Sequence, residues 1–333
     1  MAKITILGCG YGTALGVLYT KYGHEVMTWT KFEEEAQTLR EEREHKRLLP
    51  GVKLPDALGV TTDPKCVSGA DIIVVCIPSK FYREAICAVK PYVDKDTVIV
   101  NASKGLEEAS GKRLSELIRE ELPENRVAAI TGPCHAEEIA RFMPTTEVCA
   151  AYDLDTAEYI QKTLSNESYR IYINDDIIGC ELGGVLKNPI ALSCGIARGM
   201  GLGDNTIAAI MTRGMTEITR LGVSFGANWK TFTGMAGIGD LIVTCTSEHS
   251  RNYRAGFLIG QGVPAAEAVA KVGTVEGYTN AKIAYRLAQE HNVDTPIIEQ
   301  VVKVCYENAD PQQSTRALMG RESKHEREMF WTD

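Results

Sequence analysis

The first half of the chain alternates short apolar runs with longer periodic stretches. The runs Lys3–Leu7 and Glu25–Trp29 are rich in β-formers and flank an apolar-periodic stretch at residues 13–22. This order predicts a strand, a helix and a second strand, with Gly23 at the end of the helix. A charged stretch at residues 33–46 predicts a further helix with a solvated face.

Three more apolar runs continue this pattern. Residues 72–77 are continuously apolar, as expected for a parallel strand buried on both faces, and residues 97–101 and Val127–Thr131 repeat the pattern. Ligands bind at the carboxyl ends of the strands in open α/β sheets. Those ends carry Gly8, Pro78-Ser79, Ser103-Lys104 and Gly132-Pro133.

The pattern changes near residue 180, and from Glu181 onward helical periodicity prevails. Helices are predicted at residues 208–221, 265–271, 279–290 and 297–308, and a charged, exposed tail at residues 321–328. We therefore predict an α/β Rossmann-type N-terminal domain that binds a dinucleotide, at residues 1–180. An all-α C-terminal domain that binds the substrate is predicted at residues 181–333.

The first predicted strand is followed by Gly8-Cys9-Gly10-Tyr11-Gly12-Thr13. In a dinucleotide fingerprint, the first glycine allows the turn, the second lets the backbone approach the pyrophosphate, and the third lets the helix pack on the strand. The N-terminus of the following helix attracts phosphate. The loop is one residue shorter than G-x-G-x-x-G, but its place in a strand–helix–strand unit predicts nucleotide binding.

The end of the second strand sets the nicotinamide preference in such folds. NAD enzymes usually place an acidic residue there, and NADP enzymes often place a cation. Here Lys31 follows Trp29-Thr30 and precedes Glu33. Lys31 could bind a 2′-phosphate or simply begin a solvated helix, so the sequence predicts NAD or NADP without choosing between them.

Composition and charge exclude several classes of function. The net charge of −8 argues against an extended nucleic-acid face, and the apolar runs are too short to span a membrane. The 10 cysteines and 6 histidines are scattered without C-x-x-C spacing, which predicts no metal site. With an N-terminus that enters a strand without a signal peptide, this predicts a cytoplasmic protein with reduced, buried thiols. Cys134 and Cys245 are interpreted as packing residues, because no base is evident near either.

Lys187 is the candidate proton-transfer residue. Hydride transfer between a nicotinamide and a ketone builds negative charge on the carbonyl oxygen, which an ammonium group can stabilise and protonate. Lys187 follows Gly183-Gly184, whose small size would let a cofactor ring come close. The alternative is an ordinary surface lysine at a helix start.

A second candidate group, Ser250-Arg251-Asn252, precedes a helical stretch. Ser250 can cap that helix, whose N-terminus suits a phosphate, and Arg251 adds a bidentate donor. The alternative is an ordinary N-cap with an exposed arginine. Asp240 follows a glycine-rich turn and could orient Lys187 or a substrate hydroxyl, or be a turn residue. Together these groups predict a nicotinamide-dependent reductase of a small phosphorylated substrate.

Short motifs extend in order over nearly the whole chain. They are Gly8-Cys-Gly-Tyr-Gly-Thr-Ala-Leu15, Ser103-Lys-Gly-Leu-Glu107, Gly132-Pro-Cys-His-Ala-Glu137, Leu186-Lys-Asn188, Gly203-Asp-Asn205, Thr212-Arg-Gly214, Gly234-Met-Ala-Gly-Ile-Gly-Asp-Leu-Ile-Val-Thr-Cys-Thr246, Ser250-Arg-Asn252 and Val275-Glu-Gly277. In these motifs the chain resembles the bacterial-type NAD(P)-dependent glycerol-3-phosphate dehydrogenase family.

The resemblance implies interconversion of dihydroxyacetone phosphate and sn-glycerol 3-phosphate with NAD or NADP, for phospholipid synthesis, by a homodimer. It implies that Lys187 is the proton donor and acceptor. The implied substrate contacts are Lys104, Gly132, Lys187, Asp240, Ser250, Arg251 and Asn252, with Cys134 at the position where the family usually has serine. Added to the loop glycines Gly8, Gly10 and Gly12, the implied cofactor contacts are Tyr11, Lys31, Lys104, Ala136, Arg251 and Glu276.

Three departures from the family pattern bear on efficiency. The glycine loop lacks one residue and carries Tyr11 in place of tryptophan, and Cys134 is a weaker hydrogen-bond partner than serine. Pro189 stands where an apolar residue is common; it would kink a helix interior but be harmless in a first turn. Two alternatives stay open: a related β-hydroxyacid or ketopantoate-type reductase, and a non-catalytic nicotinamide-nucleotide sensor.

Overall fold

The computed structural model describes residues 1–323, 325 and 326, and the chain divides into two compact units. The first unit is Met1–Ile177, and the second begins at Ile178. Of the charged tail predicted at residues 321–328, the described residues are exposed. Lys324, Arg327 and Glu328 of that tail lie outside the described residues.

The first unit alternates strands with helices. Its strands are β1 (Lys3–Leu7), β2 (Glu25–Trp29), β3 (Gly59–Thr61), β4 (Ile72–Val75), β5 (Val98–Asn101), β6 (Val127–Thr131), β7 (Thr145–Ala151) and β8 (Tyr169–Asn174). Its helices are α1 (Tyr11–Lys21), α2 (Glu33–Glu42), α3 (Tyr82–Val89), α4 (Leu114–Glu121), α5 (Ala136–Ile139) and α6 (Leu154–Leu164). The predicted strand–helix–strand unit is confirmed, and Gly23 has φ +87 just beyond α1, as a glycine after a helix commonly does.

The strands form one eight-stranded sheet in the order β3-β2-β1-β4-β5-β6-β7-β8. All neighbours run parallel except β6 and β7. The continuous apolar run of β4 serves both faces, because Ile72 and Val74 pack in one hydrophobic core and Ile73 and Val75 in another. Helices α1 and α6 cover the first face, and α3 and α4 cover the second. The Rossmann-type fold is therefore confirmed.

The strands β7 and β8 were not predicted from the sequence. Strand β7 contains Glu147, and β8 exposes residues on one face, so neither reads as an uninterrupted apolar run. Both strands pair in register over six residues, from Thr145 opposite Tyr169 to Ala150 opposite Asn174. Tertiary pairing therefore overrides a weak local signal here.

Every regular element in the described part of the second unit is helical. Its helices are α7 (Ile177–Gly199), α8 (Asp204–Ser224), α9 (Asp240–Thr246), α10 (Arg251–Gly260), α11 (Ala265–Val272), α12 (Glu276–Glu290), α13 (Pro296–Tyr306) and α14 (Pro311–Met319). A core of mostly small and β-branched residues packs α7 against α10–α13. The predicted all-α region is confirmed. No helix in the described part of the chain combines the length and the apolar character needed to cross a membrane.

Pro189 lies in the interior of α7 rather than in its first turn. Because proline has no N–H, the carbonyl of Val185 lacks its usual helical donor. The alternative that Pro189 lies in a first turn, where it would be harmless, is therefore wrong. The interior of α7 lacks one backbone hydrogen bond close to Lys187.

Candidate active-site residues in the two units

The glycine loop follows β1, which lies between β2 and β4 at the point where the strand order reverses. Gly8 has φ +108, and a side chain there would come within 2.6 Å of the carbonyl oxygen of Cys76. A side chain at Gly12 would come within 2.7 Å of Ile6, because α1 packs closely on β1. The turn and the helix contact therefore both require glycine, as the dinucleotide fingerprint predicts.

The same loop leaves room for a phosphate. The nearest atom to a side chain built on Gly10 is 3.7 Å away, in Leu48. Gly10 is also the N-cap of α1, and no side chain caps that helix. The N–H groups of the first turn therefore have no competing side-chain acceptor, and the loop fits the pyrophosphate of a dinucleotide.

Lys104 lies beyond the carboxyl end of β5, beside the turn that follows β6. Its Nζ atom donates to the carbonyl oxygen of Gly132 at 2.8 Å and to Sγ of Cys134 at 3.2 Å. Ala136 begins α5 two residues later. Three predicted substrate contacts thus lie together in the first unit, and Cys134 contacts Lys104 rather than serving only as a packing residue.

Glu147 is a functional candidate that the sequence analysis missed. Its residue is 1% exposed, and its Oε2 atom accepts hydrogen bonds from Tyr11 Oη at 2.9 Å and from Tyr169 Oη. Burial raises the pKa of the Glu147 carboxyl, while the charge of Lys104 and the tyrosine hydrogen bonds oppose that rise. The feature of the sequence that could have indicated Glu147 is its position as a single acidic residue in an otherwise uncharged run.

Lys31 lies just beyond β2 on the surface of the first unit. Its Nζ atom is 3.1 Å from Glu84 and 4.8 Å from the ring centre of Phe81. Two of the acidic residues that follow already have partners, since Glu33 pairs with Arg40 and Glu35 accepts from Thr30. The cation nearest the strand end therefore has one exposed carboxylate as its ion-pair partner.

Lys187 is buried in the interior of α7, with 4% of the residue exposed. Its Nζ atom lies 2.9 Å from Oδ1 of Asp240 and also donates to Thr244 Oγ1. The surface-lysine alternative is therefore wrong. Asp240 is not a turn residue either, because it begins α9 and is 1% exposed. Thr244, one turn further along α9, was missed from the sequence although it lies within a quoted motif.

Close packing of two backbones brings Lys187 and Asp240 together. A π-helical turn, Met235–Gly239, leads into α9, and a side chain on Gly183 would come within 2.4 Å of the carbonyl oxygen of Ala236. Gly183 therefore allows α7 to pack closely on the π-helical turn. This role adds to the open space that its small size was expected to leave near Lys187. A larger residue there would push α9 and Asp240 away from the lysine.

Asn252 links the helices that carry the anion-binding candidates through two hydrogen bonds. Its Nδ2 donates to Asn188 Oδ1 at 3.0 Å, and its Oδ1 accepts from the Gly277 N–H at 2.7 Å. Ser250 caps α10 by accepting from the Tyr253 N–H at 3.2 Å, as predicted. Both polar ends of Asn252 thus have protein partners, and Asn188 is a residue that the sequence analysis did not single out.

Arg251 and Glu276 begin two neighbouring helices of this group, α10 and α12. Burial raises the pKa of the Glu276 carboxyl to about 7, and the positive charge of Arg251 lowers it from an even higher value. Glu276 therefore changes charge near neutral pH.

Comparison with known proteins decides the family. Residues 3–157 match the family model described as NAD-dependent glycerol-3-phosphate dehydrogenase N-terminus, and residues 176–316 match that of the C-terminus. A glycerol-3-phosphate dehydrogenase [NAD(P)+] of Moorella thermoacetica is 48% identical over 97% of this chain and 97% of its own length. The chain belongs to the NAD-dependent glycerol-3-phosphate dehydrogenase family. The resemblance inferred from the motifs is thereby confirmed.

Solved structures place the chain in the same glycerol-3-phosphate dehydrogenase family. The crystal structure of glycerol-3-phosphate dehydrogenase from Coxiella burnetii superposes with a TM-score of 0.92 at 37% identity, over 96% of this chain and 99% of that one. A ketopantoate reductase from Ralstonia eutropha reaches a TM-score of 0.61 at 16% identity, over 94% of this chain and 99% of its own, and shares the fold alone.

None of the cysteines in this family member forms a disulfide. All ten cysteines lie in the described part of the chain, and each carries a thiol group. Burial raises the pKa of the Cys245 thiol well above its usual range, which agrees with a packing role. Cys87 is exposed, so the expectation of uniformly buried thiols is wrong at that position.

Proposed function

We propose that this protein interconverts dihydroxyacetone phosphate and sn-glycerol 3-phosphate, with NAD or NADP as the hydride carrier. The observation that carries the proposal is the buried ion pair of Lys187 and Asp240 in a member of this dehydrogenase family. Burying an ammonium and a carboxylate costs free energy, and such pairs are concentrated where chemistry needs them.

Lys187 moves the proton in this proposal. The bound nicotinamide supplies or takes the hydride. During reduction, the Lys187 ammonium group stabilises the negative charge that develops on the carbonyl oxygen and donates its proton to it. During oxidation, the neutral amine accepts the proton of the hydroxyl group. Asp240, at 2.9 Å, and Thr244 hold the side-chain nitrogen in place.

The other proposed contacts follow the family motifs. Substrate contacts in addition to Lys187 and Asp240 are Lys104, Gly132, Cys134, Ser250, Arg251 and Asn252. Cofactor contacts are Gly8, Gly10, Tyr11, Gly12, Lys31, Lys104, Ala136, Arg251 and Glu276. The uncapped N-terminus of α1 supports a pyrophosphate at the glycine loop, and Arg251 supports recognition of an anionic group. These assignments make the first unit the dinucleotide-binding domain and the second the substrate-binding domain.

Loss of absorbance by reduced nicotinamide tests the proposed reaction. The purified protein is mixed with dihydroxyacetone phosphate and either NADH or NADPH, and ketopantoate replaces the phosphorylated ketone in a parallel assay. Turnover is expected with dihydroxyacetone phosphate and not with ketopantoate. Cofactor binding without turnover on either ketone would instead support the nucleotide sensor, and turnover on ketopantoate would support the related reductase.

Lys31→Ala is expected to weaken binding of NADPH about tenfold and to leave binding of NADH nearly unchanged. The reason is that an added 2′-phosphate can bond the Lys31 ammonium, whose ion-pair partner Glu84 is exposed. Fluorescence titration with each cofactor measures this. Lys53→Ala is the matched control, because Lys53 is also an exposed lysine, paired with Glu44. Equal effects on both cofactors would contradict a 2′-phosphate contact.

The affinity for the cofactor is expected to fall as the pH rises through about 7, because Glu276 then becomes negatively charged. A change of about threefold in Kd corresponds to the addition of one weak, solvent-screened charge repulsion. Glu276→Gln should abolish this part of the pH dependence, measured by titration between pH 6 and 8.5. Glu267→Gln, in an exposed pair with Lys271, should retain it. An unchanged profile in Glu276→Gln would show that another group titrates.

We also propose that the enzyme is a cytoplasmic homodimer that does not bind nucleic acid. Ten cysteines without a disulfide are typical of a reducing compartment, and a net charge of −8 opposes binding to a phosphate backbone. The homodimer rests on the family resemblance. Light scattering behind size-exclusion chromatography would measure the oligomeric state, and a mass of about 36.5 kDa would contradict the dimer.

A further inference from the structure

Glu147 occupies a costly position that no step of the proposed reaction uses. It lies within β7, where most neighbouring residues are buried and uncharged, and 1% of the residue is exposed. A buried carboxylate is tolerated only where hydrogen bonds and opposite charge compensate for its lost hydration. The partners that compensate for it therefore indicate what Glu147 holds in place.

The two tyrosines that donate to Glu147 belong to different parts of the first unit. Tyr169 is the first residue of β8 and part of the sheet. Tyr11 is the first residue of α1 and follows Gly10 in the glycine loop. Glu147 thus connects the loop to two paired strands of the scaffold. Its bond to Tyr11 spans a separation of 136 residues in sequence.

The bond between Tyr11 and Glu147 is important for the start of α1 because the glycine loop is one residue short. Helix α1 begins directly at Tyr11, and no side chain caps its N-terminus. The position of that N-terminus is therefore set by contacts that its own first residues make elsewhere. The Tyr11 hydroxyl group donates a hydrogen bond to Glu147 in the protein interior. The Tyr11 side chain therefore attaches the glycine loop to β7.

Glu147 also lies directly behind the turn that follows β6. A side chain built on Gly132 would come within 3.1 Å of Glu147 Cα, and the Gly132 carbonyl oxygen accepts from Lys104 Nζ at 2.8 Å. The positive charge of Lys104 favours the ionised form of Glu147 against the effect of burial. Glu147 thus lies against both the glycine loop and the turn whose Gly132 carbonyl oxygen binds Lys104.

We propose that Glu147 is a positioning residue for the nucleotide-binding loop, and that it fixes the N-terminus of α1 through Tyr11. The inference rests on the proposed function, because it requires the loop to bind a nicotinamide dinucleotide. Glu147 itself does not touch the cofactor or the substrate. Its effect reaches the cofactor through the placement of the backbone N–H groups at the start of α1.

A matched pair of tyrosine variants tests the positioning role. Tyr11→Phe and Tyr169→Phe each remove one hydroxyl group from the same carboxylate and leave the other bond in place. Tyr11→Phe is expected to raise the Kd for NADH or NADPH about tenfold, as for the loss of one charge-assisted hydrogen bond. Tyr169→Phe is expected to leave Kd within about twofold, because β8 keeps its strand pairing. Nicotinamide fluorescence measures Kd without turnover, and a thermal melt checks each fold.

A double-mutant cycle then assigns the effect to Glu147. Glu147→Gln keeps the shape and one acceptor oxygen, whereas Glu147→Leu removes both bonds. If Glu147 acts through Tyr11, Glu147→Leu with Tyr11→Phe should bind the cofactor no more weakly than Glu147→Leu alone. Should Glu147→Leu fail to fold, Glu147→Gln replaces it in the cycle, with an effect smaller than that of the leucine variant.

The outcomes separate this inference from the proposed function. A purely structural role would lower Tm in both tyrosine variants and leave Kd unchanged, which overturns the positioning role while the wild type still turns over dihydroxyacetone phosphate. Equal rises in Kd for Tyr11→Phe and Tyr169→Phe, or effects that multiply in the double mutant, overturn it as well. A wild-type protein that binds neither cofactor overturns the proposed function first.

Discussion

Lys187→Met is expected to lower kcat for dihydroxyacetone phosphate reduction by about a thousandfold, within the range typical of a removed general acid. Methionine matches the apolar stem of lysine but cannot donate a proton or stabilise an alkoxide. The glycine loop belongs to the other unit, so Kd for the reduced cofactor should stay within about twofold. Steady-state kinetics and fluorescence titration measure the two quantities.

The same substitution leaves Asp240 buried without its ion-pair partner. Such a loss costs about 3–5 kcal/mol, so the thermal midpoint of Lys187→Met should fall. The double variant with Asp240→Asn removes both charges, and it should recover stability without recovering turnover. Lys303→Met is the matched control, because Lys303 pairs with Glu299 on the surface of α13. An unchanged kcat with a raised KM would show that Lys187 binds substrate and does not transfer the proton.

Asp240→Asn alone is expected to lower kcat about a hundredfold, with a smaller change in KM for the ketone. Asparagine preserves the shape of the side chain and keeps one oxygen near Lys187. In the wild type, Oδ1 of Asp240 lies 2.9 Å from Nζ of Lys187. It removes the negative charge that holds the ammonium group in a buried site. The loss should therefore appear in the chemical step, which single-turnover measurements isolate.

Asp155→Asn provides the comparison for this variant. Asp155 is also an acidic residue in the first turn of a helix, but it is exposed on α6. Its replacement should leave kcat unchanged. If Asp240→Asn retains full kcat and only melts at a lower temperature, the ion pair stabilises the fold and has no share in the chemistry.

Both predictions depend on an arrangement that the sequence suggested only in part. The motifs contain Lys187 and Asp240, and the chemistry of ketone reduction explains why an amine and a carboxylate would be present. Local pattern left open whether the lysine lay on the surface and whether the aspartate lay in a turn. Burial and the contact of Gly183 with Ala236 resolve both questions, because they depend on how α7 packs on the π-helical turn.

The strands show the same division. Strands β1, β2 and β6 begin and end at the residues predicted from runs of β-forming residues, and most of their residues are buried. Strand β7 contains a charged residue and β8 is half exposed, so pairing with neighbours determines them. The missed strand β7 is also the element that carries Glu147.

The sequence by itself determined the features that depend on neighbours along the chain. These are the glycine turn that only small residues permit, the Ser250 cap of α10, and the apolar pattern of α1, α8, α11, α12, α13 and the central strands. Tertiary structure alone decided which distant side chains meet, as with Tyr11 and Glu147, 136 residues apart. The physical reason is that a buried charge or hydroxyl group is satisfied by whichever partner the packing brings within hydrogen-bond distance, and the packing depends on the whole chain.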